Sequence, residues 1–282
     1  MSTRMVHADL LRAFAVALSA SLAASALAQN AVPTALATVS GADTAIVAPA
    51  ASVSVRPMTD PIALEREGVD RYHKNIRDYR CVLVKQERIE GTLRPIEEIE
   101  VRYRESPKSV YMIWRQNPDQ ARRALFIDAP EFVDDKGRKT ARVEPNGALV
   151  RLVISDIMMP IHGERATKAS RRTIDEFGFL STWEIFERYN DVARRNGVLD
   201  LQYAGEGQVD GRPTHVLVRR LPYNGPNSGY PERRLVLHVD KEWMVPTAVF
   251  AYADDAGKEL LGSYQFTQVQ INPGLTDADF RF

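Results

Sequence analysis

Residues 78–114, DYRCVLVKQERIEGTLRPIEEIEVRYRESPKSVYMIW, constrain the fold more than any other stretch: they hold three strand-like runs, punctuated by a Glu90-Gly91 turn and a break at Pro107. Ile99, Val101 and Tyr103 alternate with Glu98, Glu100, Arg102 and Arg104, the two-residue period of a strand with one wet face. Beyond Pro107, Val110, Met112 and Trp114 fall on one side and Tyr111 and Ile113 on the other. A sheet that is apolar on both faces needs two covers. The expectation is a packed helix on one face and, on the other, a bound ligand.

The N-terminus carries an address. Arg4 and Arg12 precede an alanine- and leucine-rich run, Ala13–Ala24, interrupted by Ser19 and Ser21, and Ala26-Leu27-Ala28 ends it in a small-x-small pattern. This predicts a signal peptide over 1–28, cleaved after Ala28, and an exported, periplasmic protein. The run falls short of the roughly 18–20 apolar residues that a transmembrane helix needs. No cysteine stands at the cut to take a lipid anchor, and the mature chain is expected to be soluble and exported, with no transmembrane segment. Residues 29–58 hold Ala, Val, Thr and Ser with Arg56 as their one basic residue, the composition of a disordered linker. The folded domain is placed at 59–282.

The chain balances 37 basic against 37 acidic residues. Cleavage removes two arginines and one aspartate, leaving a net charge of −1, so no long-range field draws nucleic acid or an anionic surface. Paired arginines, such as Arg122-Arg123 and Arg171-Arg172, are interleaved with acids and read as solvated faces. Cys81 is the sole cysteine. It has no disulfide partner within the chain, and its apolar neighbours place it in the core.

Asp60-Pro61 is a helix start, and Ile62, Val69, Tyr72, Ile76 and Tyr79 recur at helical spacing beyond it. A second helix is expected over 181–195, opened by a Ser181/Glu184 capping box and stopped by Asn196-Gly197. The remainder reads as strands at about 122–128, 138–144, 148–154, 198–206, 213–221, 233–240, 245–253 and 258–270, joined by hairpin loops such as Asp210-Gly211 and Asp254–Gly257. The fold class is therefore α+β: about eleven strands in one large curled antiparallel sheet, an incomplete barrel, with helices covering its concave face.

Enzymatic signatures are missing from the sequence. It holds no metal-ligand spacing, no nucleophile elbow and no phosphate-binding glycine loop, and His73, His162, His215 and His238 are scattered. No cofactor or metal is expected, and the protein reads as non-enzymatic.

The 78–114 run, the ending VDKEWMVPTAVFAYADDAGKELLGSYQFTQVQINPGLTDADF and the leader together resemble a bacterial family, the domain of unknown function 1571 family, over about residues 62–282. More remotely, the element order, the proline-introduced SVYMIW strand and the closing Leu275–Phe280 resemble the periplasmic lipoprotein-carrier (LolA-like) superfamily. That resemblance implies an incomplete antiparallel barrel closed by helices around an apolar cavity. Carriers of that superfamily place an arginine before the strand-opening proline; Ser106 stands there here, and the nearest arginine is Arg104.

Two functions follow. In the first, the cavity binds lipid, acyl chains or a lipidated protein. Val110, Met112, Trp114, Leu125, Ile127, Leu199 and Leu201 are its expected wall, and the 156–179 segment, with Met158, Met159, Pro160 and Gly163, its lid. The same wall residues also read as ordinary core beneath the helices. In the second, the domain is an envelope protein-interaction or stress-sensing module, presenting Tyr223 and Tyr230 from a proline- and glycine-rich loop.

Overall fold

A computed structural model describes residues 59–147 and 155–282. The leader, the linker and the expected strand at 148–154 lie outside the described residues.

Helix α1 covers Pro61–Asn75, with the Asp60 carboxylate accepting from the Ile62 amide at 3.0 Å and Pro61 in the first turn, where its missing N–H costs nothing. The chain then enters a meander of β1 (Asp78–Ile89), β2 (Thr92–Leu93), β3 (Glu97–Arg104), β4 (Ser109–Gln116), β5 (Ala121–Ile127), β6 (Thr140–Pro145) and β7 (Ile157–Pro160). Helices α2 (Glu164–Ala169) and α3 (Phe179–Arg195) lead to a second meander, β8 (Asp200–Val209), β9 (Arg212–Arg220), β10 (Arg234–Asp240), β11 (Pro246–Tyr252) and β12 (Leu260–Ile271).

All twelve strands form one open antiparallel sheet in the order β7-β6-β5-β4-β3-β1-β12-β11-β10-β9-β8, with β2 paired to β1. The sheet is not one continuous meander. The first strand pairs with the last, from Tyr79 opposite Ile271 to Glu87 opposite Gly262, and this seam joins two meanders at the centre of the sheet. Helix α3 begins at Phe179, two residues before the expected start; Ser181 is no cap but accepts a hydrogen bond from the Lys108 ammonium at 2.9 Å. Asn196 and Gly197, the latter at φ +67°, end it as expected.

The helix-bearing face holds two core clusters. One joins Val101, Val110, Phe126 and Phe266 to Phe177 and Phe179; the other joins Leu217, Leu237 and Val239 to Leu64 and Trp183. Helix α1 approaches closely enough for Trp183 because residue 68 is glycine: a Cβ there would lie 2.7 Å from both the Met244 carbonyl oxygen and the indole Nε1. The opposite face of β4 and β5 buries Tyr111 and Leu125 under Phe132, Leu275 and Phe280. The second cover of the doubly apolar strand β4 is thus the chain's own C-terminal segment, not a ligand. That segment is held by Arg80 and Arg104 to Asp279 and Asp277, each at 2.6 Å, and by Arg104 stacked on Phe280.

Candidate functional site

On the helix-bearing face, the β-strands and the connection between the meanders enclose a cavity of about 630 Å³. Met112 and Trp114 of β4, Ala124 of β5, Val143 of β6 and Met159 of β7 form one side. Leu235 and Leu237 of β10 and Val249 of β11 form another, Tyr264 and Phe266 of β12 contribute from the seam, and residues 165–178 with Ile185 and Phe186 of α3 lie across them. Both meanders therefore contribute to one chamber, of a size typical for small-molecule sites, roughly 300–1,000 Å³.

Two buried ionic networks interrupt the apolar wall. In the first, Lys85 lies 3.3 Å from Glu87 and 3.4 Å from Glu97, and all three side chains are at most 12% exposed. Glu87 also accepts from the Tyr264 hydroxyl (2.5 Å), the Ser170 hydroxyl (2.9 Å) and the Arg171 amide (3.2 Å), while Glu97 accepts from the Trp114 indole at 2.5 Å. Burial draws the Lys85 ammonium towards its neutral form, but the two carboxylates outweigh burial and hold its pKa above the ordinary lysine value. Burial, and then the Glu87 charge, push the Tyr264 phenol well above its usual range. In the second network Arg219, 2% exposed, donates to Glu232 at 2.7 Å and to Asn190 and the Phe186 carbonyl at 2.9 Å, with its guanidinium over the Phe186 ring. Asn190 donates in turn to Glu65, whose pKa is pushed up to about 7, first by burial and then by the charges of Glu187 and Asp191.

Of the residues expected to form the wall, Met112 and Trp114 border the cavity. Val110 shares their face but is fully buried in the core behind it. Leu125 and Ile127 belong to the opposite face, against Phe132 and Leu275. The register explains this: Val110 pairs with Phe126 and Met112 with Ala124, so Ala124 and Phe126 point where Leu125 and Ile127 were expected. Leu201 packs against the second core cluster, and the half-buried Leu199 precedes β8; neither reaches the cavity.

Of the expected lid residues, Met159 lines the cavity while Met158 is 48% exposed. Both, with Pro160, belong to edge strand β7, paired to β6 from Thr140 opposite Pro160 to Val143 opposite Ile157. Gly163 caps α2. Within 156–179, Ile157, Met159 and Ile161 line the chamber from β7 and the turn after it, and the connection from Arg165 to Gly178 lies across it. Tyr223 and Tyr230, expected as exposed contacts, are half-buried: Tyr223 packs on the second core cluster and the Tyr230 hydroxyl accepts from Asn196 at 2.9 Å.

The polar wall residues went unnoticed in the sequence, yet β1 carries a signal for them. Lys85 and Glu87 share the parity of buried Cys81, Leu83 and Ile89, and Glu97 that of Ile99 and Val101. Charges on the apolar side of a strand mark a buried network or a ligand site. Cys81 is buried, and burial drives its thiol well above the usual range, which leaves it unreactive. Glu105, beside Ser106, accepts from the Tyr72 and Tyr103 hydroxyls at 2.7 and 2.9 Å. Among the described residues no helix is long and apolar enough to cross a membrane, and no group of three or more His, Cys, Asp or Glu could hold a metal ion.

No match is found among curated proteins. Among solved structures, MucB is similar to this chain, with a TM-score of 0.46 and 16% identity over 78% of this chain and 63% of that one. The Pseudomonas aeruginosa MucA/MucB complex gives 0.42 and 16% over 77% and 60%. A putative outer membrane lipoprotein-sorting protein domain from Vibrio parahaemolyticus gives 0.32 and 12% over 77% and 97%. The chain spans about three-fifths of the length of the MucB chains it matches. The profile of the family described as protein of unknown function (DUF1571) matches residues 76–282, from the last turn before β1 through β12 and the C-terminal segment, and the chain belongs to that family.

Proposed function

We propose that this chain is an exported binding protein that holds an apolar or amphipathic small molecule, a lipid or an acyl chain, in the chamber between the two meanders. The observation that carries this reading is a cavity of about 630 Å³ whose wall is mostly apolar and drawn from both halves of the sheet. A core at native packing density leaves few voids larger than a water molecule, so a chamber of this size is space for an occupant. The leader supports export: intact mass of the secreted protein should correspond to a chain beginning at Gln29. A chain beginning at Met1 would refute cleavage.

The binding reading is tested by purifying the folded protein without detergent and recording its native mass spectrum, then extracting it with organic solvent. A mass excess that disappears on extraction and reappears as lipid supports the reading. An empty protein that also fails to take up N-phenyl-1-naphthylamine, a neutral fluorescent probe of apolar sites, refutes it. A stoichiometric protein partner in the same spectrum, with no lipid, would put the interaction-module reading in its place.

A further inference from the structure

We infer that the occupant of the chamber is an amphiphile with an anionic head, a carboxylate or a phosphate, seated against Arg165, Arg171 and Arg172. The inference rests on the binding function proposed above and specifies its ligand.

The argument is a charge inventory of the cavity wall among the described residues. Four carboxylates line it, and each has a cation: Glu97 has Lys85 at 3.4 Å, Asp119 has Arg94 at 3.9 Å, Glu176 has Arg188 at 3.9 Å and Glu232 has Arg219 at 2.7 Å. Five cations line it, and two of these, Lys85 and Arg219, are spent on those pairs. The remaining three are Arg165, Arg171 and Arg172, and none makes a salt bridge to a described residue. The Arg171 guanidinium donates to the Pro231 carbonyl at 3.1 Å, and the Arg172 and Arg165 guanidinium groups make no hydrogen bond to a described residue. Glu87, next to the wall, shares the one Lys85 charge with Glu97, so that triad keeps a single net negative charge; it is held by the neutral Tyr264, Ser170 and Arg171 amide donors and forms no salt bridge with the three arginines, whose charge exceeds it by two.

All three arginines come from the short connection that crosses the chamber. Arg165 is exposed and Arg171 and Arg172 are half-buried, so the positive strip runs from solvent to the apolar wall. Guanidinium forks match carboxylate and phosphate oxygens, and a low-dielectric wall beside them strengthens the attraction. A ligand with its chain against Met112, Trp114 and Phe266 and its head at these arginines would satisfy both halves of the site.

The test uses the folded protein loaded with N-phenyl-1-naphthylamine. Displacement is measured with oleate, oleoyl lysophosphatidic acid, neutral monooleoylglycerol and cationic hexadecyltrimethylammonium. Both anions should compete at least about tenfold better than the neutral ester, as a charge-assisted contact implies; whichever anion is stronger identifies the head as carboxylate or phosphate. Arg165→Gln/Arg172→Gln should bring the anions down to the level of the ester and leave the ester unchanged, whereas Arg195→Gln, on the exposed end of α3, should change nothing. In the unmodified protein, raising salt from about 0.05 to 0.5 M should weaken the anions alone. Equal competition by anionic and neutral lipids, or an anion preference that survives in the double variant, would overturn the inference while leaving the cavity a lipid site. Failure of every amphiphile and of the probe to bind would overturn the proposed function itself.

Discussion

Lys85→Met tests whether the buried triad on the cavity wall holds β1 and β3 together. The substitution removes an ammonium that lies 3.3 and 3.4 Å from two carboxylates whose side chains are 2% and 12% exposed. Loss of one partner from a buried ion pair costs roughly 3–5 kcal/mol, because the remaining charge is left without compensation. The two carboxylates do not suffer equally. Glu87 keeps the Tyr264, Ser170 and Arg171 donors, while among the described residues Glu97 keeps the Trp114 indole alone. Glu97 also faces the chamber, where solvent screens it, so about 3 kcal/mol is the expected loss near pH 8. Lys85 has a raised pKa, so its contribution is fully present below the ordinary lysine value and lost only as pH rises beyond it. Urea unfolding of both proteins near pH 8 measures the difference without adding salt. The neutral triple variant Lys85→Met/Glu87→Gln/Glu97→Gln should recover most of the stability. The reasoning fails if the single variant matches the parent, or if the triple variant is no more stable than the single.

Trp114→Ala should cost about 1–3 kcal/mol, below the 3–5 of a fully buried tryptophan, because the ring is half-buried at the cavity edge; it should also weaken probe binding, and no change in either measurement would remove Trp114 from the site. Leu125→Ala should cost roughly 2–5 kcal/mol in the same unfolding assay and leave probe binding intact, since Leu125 packs under Phe280 on the other face. The parent should lose up to about 3 kcal/mol between pH 5 and 7 from Glu65, whose pKa of about 7 exceeds its unfolded value: that stability is present below about pH 4.5 and lost as pH rises through 7. Glu65→Gln, which keeps an acceptor for Asn190, should flatten that part of the pH–stability curve; an unchanged slope would show that Glu65 does not titrate there. Amide exchange over residues 165–178 should be faster than in β5 and β12 in the empty protein and slow when oleate is bound, while equal exchange in both states would refute a moving cover.

Local physics made much of the architecture legible in the amino-acid sequence. Two-residue alternation in 97–104, the paired turns Glu90-Gly91 and Asp210-Gly211, whose four residues all adopt positive φ, and the Asp60-Pro61 helix start act over a few residues each, so β1, β3, β4, the hairpins and α1 could be read directly. The α+β class and the open antiparallel sheet followed from those pieces. The closure did not. Pairing of β1 with β12 joins residues from 175 (Glu87 to Gly262) to 192 (Tyr79 to Ile271) positions apart, and nothing in either strand names the other as its partner. Parity on β5 was also beyond reach: one residue of register in the 117–120 turn decides whether Leu125 or Ala124 faces the helices, and both alternatives look apolar in sequence. The identity of the second cover depended on the same long-range geometry. Arg80 and Arg104 bind Asp279 and Asp277, and this pins Phe280 over Leu125, so the chain covers its own outer face and leaves the open space beneath the helices. The polar wall lies between these cases. Lys85, Glu87 and Glu97 announce themselves by parity, but only the fold brings Tyr264, Ser170 and Trp114 to them and leaves Arg165, Arg171 and Arg172 without a salt bridge among the described residues, because the two ionic networks draw their partners from strands and helices that are distant in sequence.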